Sequence, residues 1–239
     1  MKYAYFFFVV VIVTVSMSLV RRRYVAVPFI CALPFVNNQV NVFLGSVNIW
    51  ATDVLSIIAL GIVVGRGCLR NYFRWQWSDL FIIVPGFWYG IGLIVQGESL
   101  FDVLQAIWRW SGPWAVPYFV ARVGVRDWKG LEQNLKGMIF GGVIISLIVI
   151  IEATTGKNVF VLLGVYGLRH RFGDMKFGLF RSAGPLGSLH IAGMYLALLA
   201  CLSLGFKYYP RRFSKKLIFC FVPLAIGTFC TTSSTGIMQ

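Results

Sequence analysis

Carboxylates are scarce in this chain, with 8 Asp and Glu among 239 residues against 22 Lys and Arg. Only 2 histidines, His170 and His190, add to the groups that exchange protons near neutral pH. So thin an acidic set leaves no cluster of ligands for a divalent metal, and no metal is expected. H-E-x-x-H, a phosphate-binding P-loop, G-x-G-x-x-G and G-x-S-x-G are all missing, which removes the common hydrolase and nucleotide-binding readings. The 5 cysteines (Cys31, Cys68, Cys201, Cys220, Cys230) are odd in number and lack C-x-x-C spacing, so they read as small apolar residues without a disulfide framework. Charge is thin overall. Charged residues make up 13% of the chain and hydrophobic residues 58%, against about 25% and roughly 45–50% in soluble domains. A soluble domain of this size needs a charged surface that these residues, clustered between long apolar runs, do not supply.

What is present is a series of apolar runs. The expected fold is an all-α polytopic membrane protein, a single integral membrane domain over residues 1–239. About eight transmembrane helices are expected near 3–20, 24–36, 51–65, 79–95, 102–121, 137–151, 186–204 and 217–232. The first run is followed directly by Arg21, Arg22 and Arg23 and has no small-residue cleavage site, so it reads as a retained anchor. The second holds Pro28 and Pro34; Pro34 is expected to end its helix, and Val42–Trp50 to follow as a half-buried stretch along the interface. The Gly-rich patches Gly141-Gly142 and Gly61…Gly65 read as sites of close helix packing.

The net charge of +14 falls on alternate loops. One set holds 15 basic residues, among them Arg21–Arg23, Arg66, Arg70, Arg74, Arg122, Arg126 and Lys207–Lys216. The other holds 6, and Arg109 lies within a span. The positive-inside rule puts the fifteen in the cytoplasm and the amino terminus outside, and gives the positive charge a cause other than nucleic acid. Trp50, Trp75, Trp77 and Trp128 fall near span ends, where interfacial anchors belong.

Residues 152–185 break that rule. This is the longest loop, it is extracytoplasmic, and it carries Lys157, Arg169, Arg171, Lys176 and Arg181, five of the six basic residues outside. Two causes fit: long loops cross irrespective of charge, or an anionic ligand binds there, which is the more economical. Arginine offers a rigid fork of donors for phosphate oxygens. Gly184 and Gly187 flank Pro185 in a turn where backbone can approach a ligand, and the next span opens there with its free N–H groups.

The stretch Arg181-Ser-Ala-Gly-Pro-Leu-Gly187, opening a span, resembles the R-x-x-G-P-F segment of the O-antigen polymerase and O-antigen ligase superfamily. Three further segments are similar in the same order. Leu33-Pro34-Phe35 precedes a span beginning at Thr52-Asp53. Ile151-Glu152 with Gly156-Lys157-Asn158 looks like an E…G-x-N exit from a span. Thr231-Thr-Ser-Ser-Thr-Gly236 stands where the family shows T-x-S-R-G. The chain departs from the pattern at Ser188-Leu189, where the family has Pro after Asn or His, and at Thr235, where it has Arg. The family continues with a second external loop and more spans, so a C-terminally truncated member is expected here.

The resemblance implies a glycosyltransferase that needs no metal or other cofactor and inverts the anomeric carbon. Its donor is a glycan on undecaprenyl pyrophosphate, at the outer leaflet of the bacterial cytoplasmic (inner) membrane. The acceptor is another repeat unit in a polymerase, or the lipid A core of lipopolysaccharide in a ligase. Membrane lipids and a chain-length regulator are the implied partners. Arg181 and Arg171 are the expected catalytic residues, stabilising the departing pyrophosphate. Arg169, Lys176, Gly184, Gly187 and Arg109 are expected to bind substrate. The competing reading is a transporter or flippase for an anionic or lipid-linked substrate, although no internal repeat supports it.

Other polar residues keep two readings. Arg109, between Trp108 and Trp110, contacts lipid pyrophosphate or Asp102, or else snorkels. Asp53 caps a helix or acts in catalysis. Glu152 is an interface carboxylate paired with Lys or Arg, or a general base. His170 is an incidental loop residue or a base, and His190 bonds a neighbouring helix.

Overall fold

Long apolar runs, which bury best when their backbone hydrogen bonds are closed within a helix, make most of the described chain helical, and polar side chains begin several of the helices. The computed structural model describes residues 2–36, 41–44, 47–125, 127–162, 175–176, 179–180, 182–208 and 219–231. Ten α-helices lie among them. They are α1 (Lys2–Leu19), α2 (Ala26–Ala32), α3 (Ala51–Gly65), α4 (Cys68–Tyr72), α5 (Trp77–Val95), α6 (Leu100–Gly124), α7 (Trp128–Thr155), α8 (Val159–Leu162), α9 (Leu189–Tyr208) and α10 (Phe221–Cys230).

Carboxylates and hydroxyls cap the first turns. Asp53 accepts the Trp50 N–H at 3.2 Å, Asp79 the Gln76 N–H at 2.7 Å, and Asp127 the Gly130 N–H at 2.8 Å. Ser99 Oγ accepts the Asp102 N–H at 3.2 Å. Each satisfies a donor that the helix leaves unpaired. Asp127 also pairs with Arg23, and that guanidinium, then the Gly130 N–H, hold its carboxyl below the usual range. The pair is exposed, so it aligns the α1–α2 turn with the start of α7 more than it stabilises.

Two apolar clusters organise the packing. In one, Val13 and Met17 of α1, Phe29 of α2, Leu55 and Val63 of α3 and Val120 of α6 are buried together. In the other, Ile139, Ile145 and Val149 of α7 meet Leu196 and Leu199 of α9 and Leu224 of α10. Glycine lets α7 touch its neighbours. A Cβ on Gly141 would lie 2.8 Å from the Cys31 carbonyl oxygen, and one on Gly137 would lie 2.9 Å from Val27 Cγ1, both within α2. Ser146 donates a hydrogen bond to the Pro223 carbonyl across the α7–α10 contact.

Gly141→Ala is therefore expected to cost about 1–3 kcal/mol, because a backbone carbonyl cannot yield as a side chain can. Gly61 has open space around it, so Gly61→Ala should be neutral or stabilise by up to about 1 kcal/mol. Thermal denaturation of the two variants in detergent checks the contrast.

Two helices, Trp77–Val95 and Trp128–Thr155, are long and apolar enough to cross a membrane by length and composition. Tyr3–Leu19, Ala51–Gly65, Leu189–Gly205 and Phe221–Cys230 are apolar but shorter. The run at 24–36 yields only the seven residues of α2, followed by a 3-10 turn at Leu33–Phe35. Pro34 stops the helix there, as expected, and seven residues are too few to cross a bilayer alone. At the other extreme, α7 begins nine residues before its expected span, since the polar first turns of a helix escape a hydropathy reading.

The described residues are mostly helical, as expected, and two short hairpins stand beside the helices. Asn41–Leu44 (β1) and Val47–Trp50 (β2) form an antiparallel hairpin with Asn41 opposite Trp50, where an interfacial stretch was expected. Val42, Phe43, Val47 and Ile49 favour the extended chain, and Gly45-Ser46 stands between the strands in the sequence. Met175–Lys176 (β3) pairs with Leu179–Phe180 (β4) in a second, shorter hairpin.

Candidate functional site

One carboxylate sits in the last turn of α7, after a long apolar run. Glu152 is 2% exposed. A carboxylate so buried persists only if donors replace its water, and four do. Oε2 accepts the Asn158 Nδ2–H at 3.0 Å, the Gly184 N–H at 3.2 Å and the Ser182 hydroxyl, while Oε1 accepts the Val159 N–H at 3.3 Å. Two donors follow α7 and two precede α9. The carboxylate thus clasps the chain where it leaves one helix and where it returns to the next.

The local sequence builds the clasp. Gly156 has φ +69° and ends α7, its N–H reaching the Glu152 carbonyl at 2.9 Å. A Cβ there would lie 2.8–3.0 Å from three ring carbons of Phe180, so glycine serves both the turn and the close approach. Asn158 acts at both ends of its amide. Its Nδ2 reaches Glu152, and its Oδ1 accepts the Phe160 and Val161 N–H groups at 2.9 and 3.0 Å, opening α8. On the returning side, Ser182, Ala183, Gly184 and Pro185 are all buried. Gly184 has φ +54°, and a Cβ there would lie 2.9 Å from Val149 Cγ2 on α7.

Several expected residues find their places. Gly184 and Gly187 occupy a tight turn with φ +54° and +69°. The Gly184 N–H donates to Glu152 Oε2. Among the described residues the partners of Glu152 are neutral donors, neither Lys nor Arg, and they engage both of its oxygens. Asp53 is 4% exposed and caps α3, and Asp102 accepts the Ser99 hydroxyl at 2.5 Å. His190 is exposed, as the second residue of α9.

Comparison with family models, curated proteins and solved structures returns no match. Arg169, His170, Arg171 and Arg181 lie outside the described residues, as do the side chains of Lys176 on β3 and Arg109 on α6. Among the described residues no group of three or more His, Cys, Asp or Glu could hold a metal ion.

A third buried carboxylate escaped the sequence reading. Asp79 is fully buried at the start of α5. It accepts the Tyr118 hydroxyl at 2.6 Å, and Arg122 Nε lies 3.6 Å from the same oxygen, both from α6. Its only sequence signal was an Asp opening one apolar run and an Arg closing the next. Glu152 had a clearer one: a lone carboxylate ending an apolar helix, then Gly and Asn at the spacing of a helix stop and a return.

Proposed function

We propose that this chain is an integral membrane glycosyltransferase of the O-antigen polymerase or ligase type, multi-pass in the bacterial cytoplasmic membrane. Its donor in this reading is an undecaprenyl-pyrophosphate-linked glycan at the outer leaflet. The observation that carries the reading is the meeting on Glu152 of the E…G-x-N and R-x-x-G-P segments, which lie far apart in sequence. These are two of the four segments that make up the family resemblance. Support for the membrane setting comes from helices whose outward faces are apolar. On α5, Phe81 is 79% and Val95 82% exposed, which water would penalise and lipid would not. With the charge distribution, this supports a multi-pass chain and an external 152–185 loop.

In the reaction so proposed, an acceptor hydroxyl attacks the anomeric carbon from the face opposite the pyrophosphate. A C–O bond to the acceptor forms as the bond to pyrophosphate breaks, and the hydroxyl proton passes to a base. Negative charge grows on the leaving oxygens, so fixed cations near them act most strongly in the transition state. Arg181, adjoining the clasp, is the first assignment for that role, and Arg171 the second.

The test is the size profile of surface glycan in a strain lacking the gene, complemented with the complete reading frame, unchanged or carrying Arg181→Ala. The unchanged gene should restore long or lipid A-linked glycan, and the variant should fail to do so at equal membrane levels. Equal restoration by both would overturn the assignment. Movement of lipid-linked sugar by purified protein in vesicles, without joining of sugars, would replace it with the flippase reading.

A further inference from the structure

Several segments of the chain meet at one end of the helices, and fixed contacts hold them there. Arg66, which closes α3, donates a hydrogen bond to the Met17 carbonyl near the end of α1. A turn at Gly67, with φ +68°, opens α4, where the buried Cys68 Sγ lies 4.0 Å from the Arg22 carbonyl oxygen. Beyond α4 the Phe73 ring packs on Phe119 of α6, centroids 5.7 Å apart, and on Trp75 at 6.3 Å. The start of α5 is then held to α6 through Asp79, Tyr118 and Arg122. Arg21, Arg22, Arg70 and Arg74 therefore share this end, and all four are exposed.

The acids at this end are already committed to other cations. Asp79 faces Arg122, Asp127 pairs with Arg23, and Glu132 pairs with Lys136. Asp53 begins α3, Asp102 begins α6 and Glu152 ends α7, each a helix length away, and Glu98 lies between α5 and α6. Among the described residues no carboxylate pairs with Arg21, Arg22, Arg70 or Arg74. Like charges gathered in this way repel one another unless anions from outside lie between them. Trp75 and Trp77, in the same segment as Arg74, are 56% and 83% exposed. Indole rings so placed settle at the headgroup level of a bilayer.

We propose that Arg21, Arg22, Arg70 and Arg74 form a seat for the headgroup phosphate of an anionic phospholipid at this face of the membrane. The planar fork of arginine meets phosphate oxygens in pairs and stays charged beside lipid. Phe81, exposed one turn into α5, gives the acyl chains an apolar flank. The seat needs the membrane setting of the proposed function and none of its chemistry.

The test is lipid retention by the full chain in native mass spectrometry, titrated with phosphatidylglycerol, with zwitterionic phosphatidylcholine as the control. Arg70→Gln and Arg74→Gln should each weaken phosphatidylglycerol binding about fivefold, and the double variant about twenty-fivefold. Phosphatidylcholine binding should not change. Arg74→Lys should lose less than Arg74→Gln, because the charge remains and only the fork is gone. Lys136→Gln removes a cation that already has its carboxylate, so it should leave phosphatidylglycerol binding as it was. An equal loss from Lys136→Gln would mean diffuse surface charge and overturn the seat. Equal affinity of the unchanged chain for the two lipids would overturn it too, as would full displacement of phosphatidylglycerol by inorganic phosphate. Binding is read without glycan synthesis, so failure of the seat leaves the transferase reading where it stood.

Discussion

Glu152→Ala is expected to release the loop from α7 at a cost of about 3–4 kcal/mol, because four donors lose one acceptor at once. Ser182 and Asn158 are buried, and the Gly184 amide is enclosed with them, so water replaces the carboxylate poorly. Glu152→Gln should cost less, about 1–2 kcal/mol: its carbonyl can still serve the Oε2 donors, while its NH2 meets the Val159 N–H, donor against donor. Limited trypsin digestion reads the effect directly, since the loop is rich in Lys and Arg. Cleavage within 157–181 should be fastest in Glu152→Ala, intermediate in Glu152→Gln and slowest in the unchanged chain. Equal cleavage of all three would mean that the loop is held by other contacts.

The second large effect is expected at Asp79. Its carboxylate joins three things: the Gln76 N–H that begins α5, the Tyr118 hydroxyl and the Arg122 guanidinium. Asp79→Ala leaves Arg122 without its counter-charge in a position where its side chain is only 20% exposed. Removing one member of such a pair costs about 3 kcal/mol, the lower end of the range because Arg122 retains some solvent. Tyr118→Phe removes a single hydrogen bond and should cost about 1 kcal/mol. The pair can also be removed as a whole. Asp79→Ala with Arg122→Met should recover part of the loss, since no buried charge is then stranded. Unfolding of the four proteins in detergent, followed by tryptophan fluorescence, gives the order. A double variant less stable than Asp79→Ala would contradict the account.

How much of this was legible in the sequence depended on the range of the interaction. Local signals carried well. Asp53 caps the helix it was placed to cap, Pro34 ends α2, and Gly184 and Gly187 make the turn that their spacing with Pro185 implied. The extended hairpin at 41–50 was missed because its period-two pattern is only four residues long on each strand, too short to stand out from a half-buried loop. Longer-range pairing left little trace. Nothing in a linear reading joins Glu152 to Ser182, thirty positions later, or Asp79 to Tyr118 and Arg122. Both carboxylates were visible as polar residues at the ends of apolar runs, which marks a need for partners without naming them. The family resemblance had set Glu152 and the Arg181 turn in one ordered list, and the fold brings those segments to one point.

A loop fastened at its base can change in the middle. Once Glu152 holds Asn158 and Ser182, the intervening residues form a closed ring whose size affects stability only weakly. Doubling the length of such a ring costs about 0.6 kcal/mol in closure entropy. Insertions, deletions or whole transplanted sequences between residues 163 and 174 should therefore be borne by the helices, so long as the four donors and their acceptor are kept. Stability alone thus leaves the length of that segment open to change while the frame beneath it stays the same.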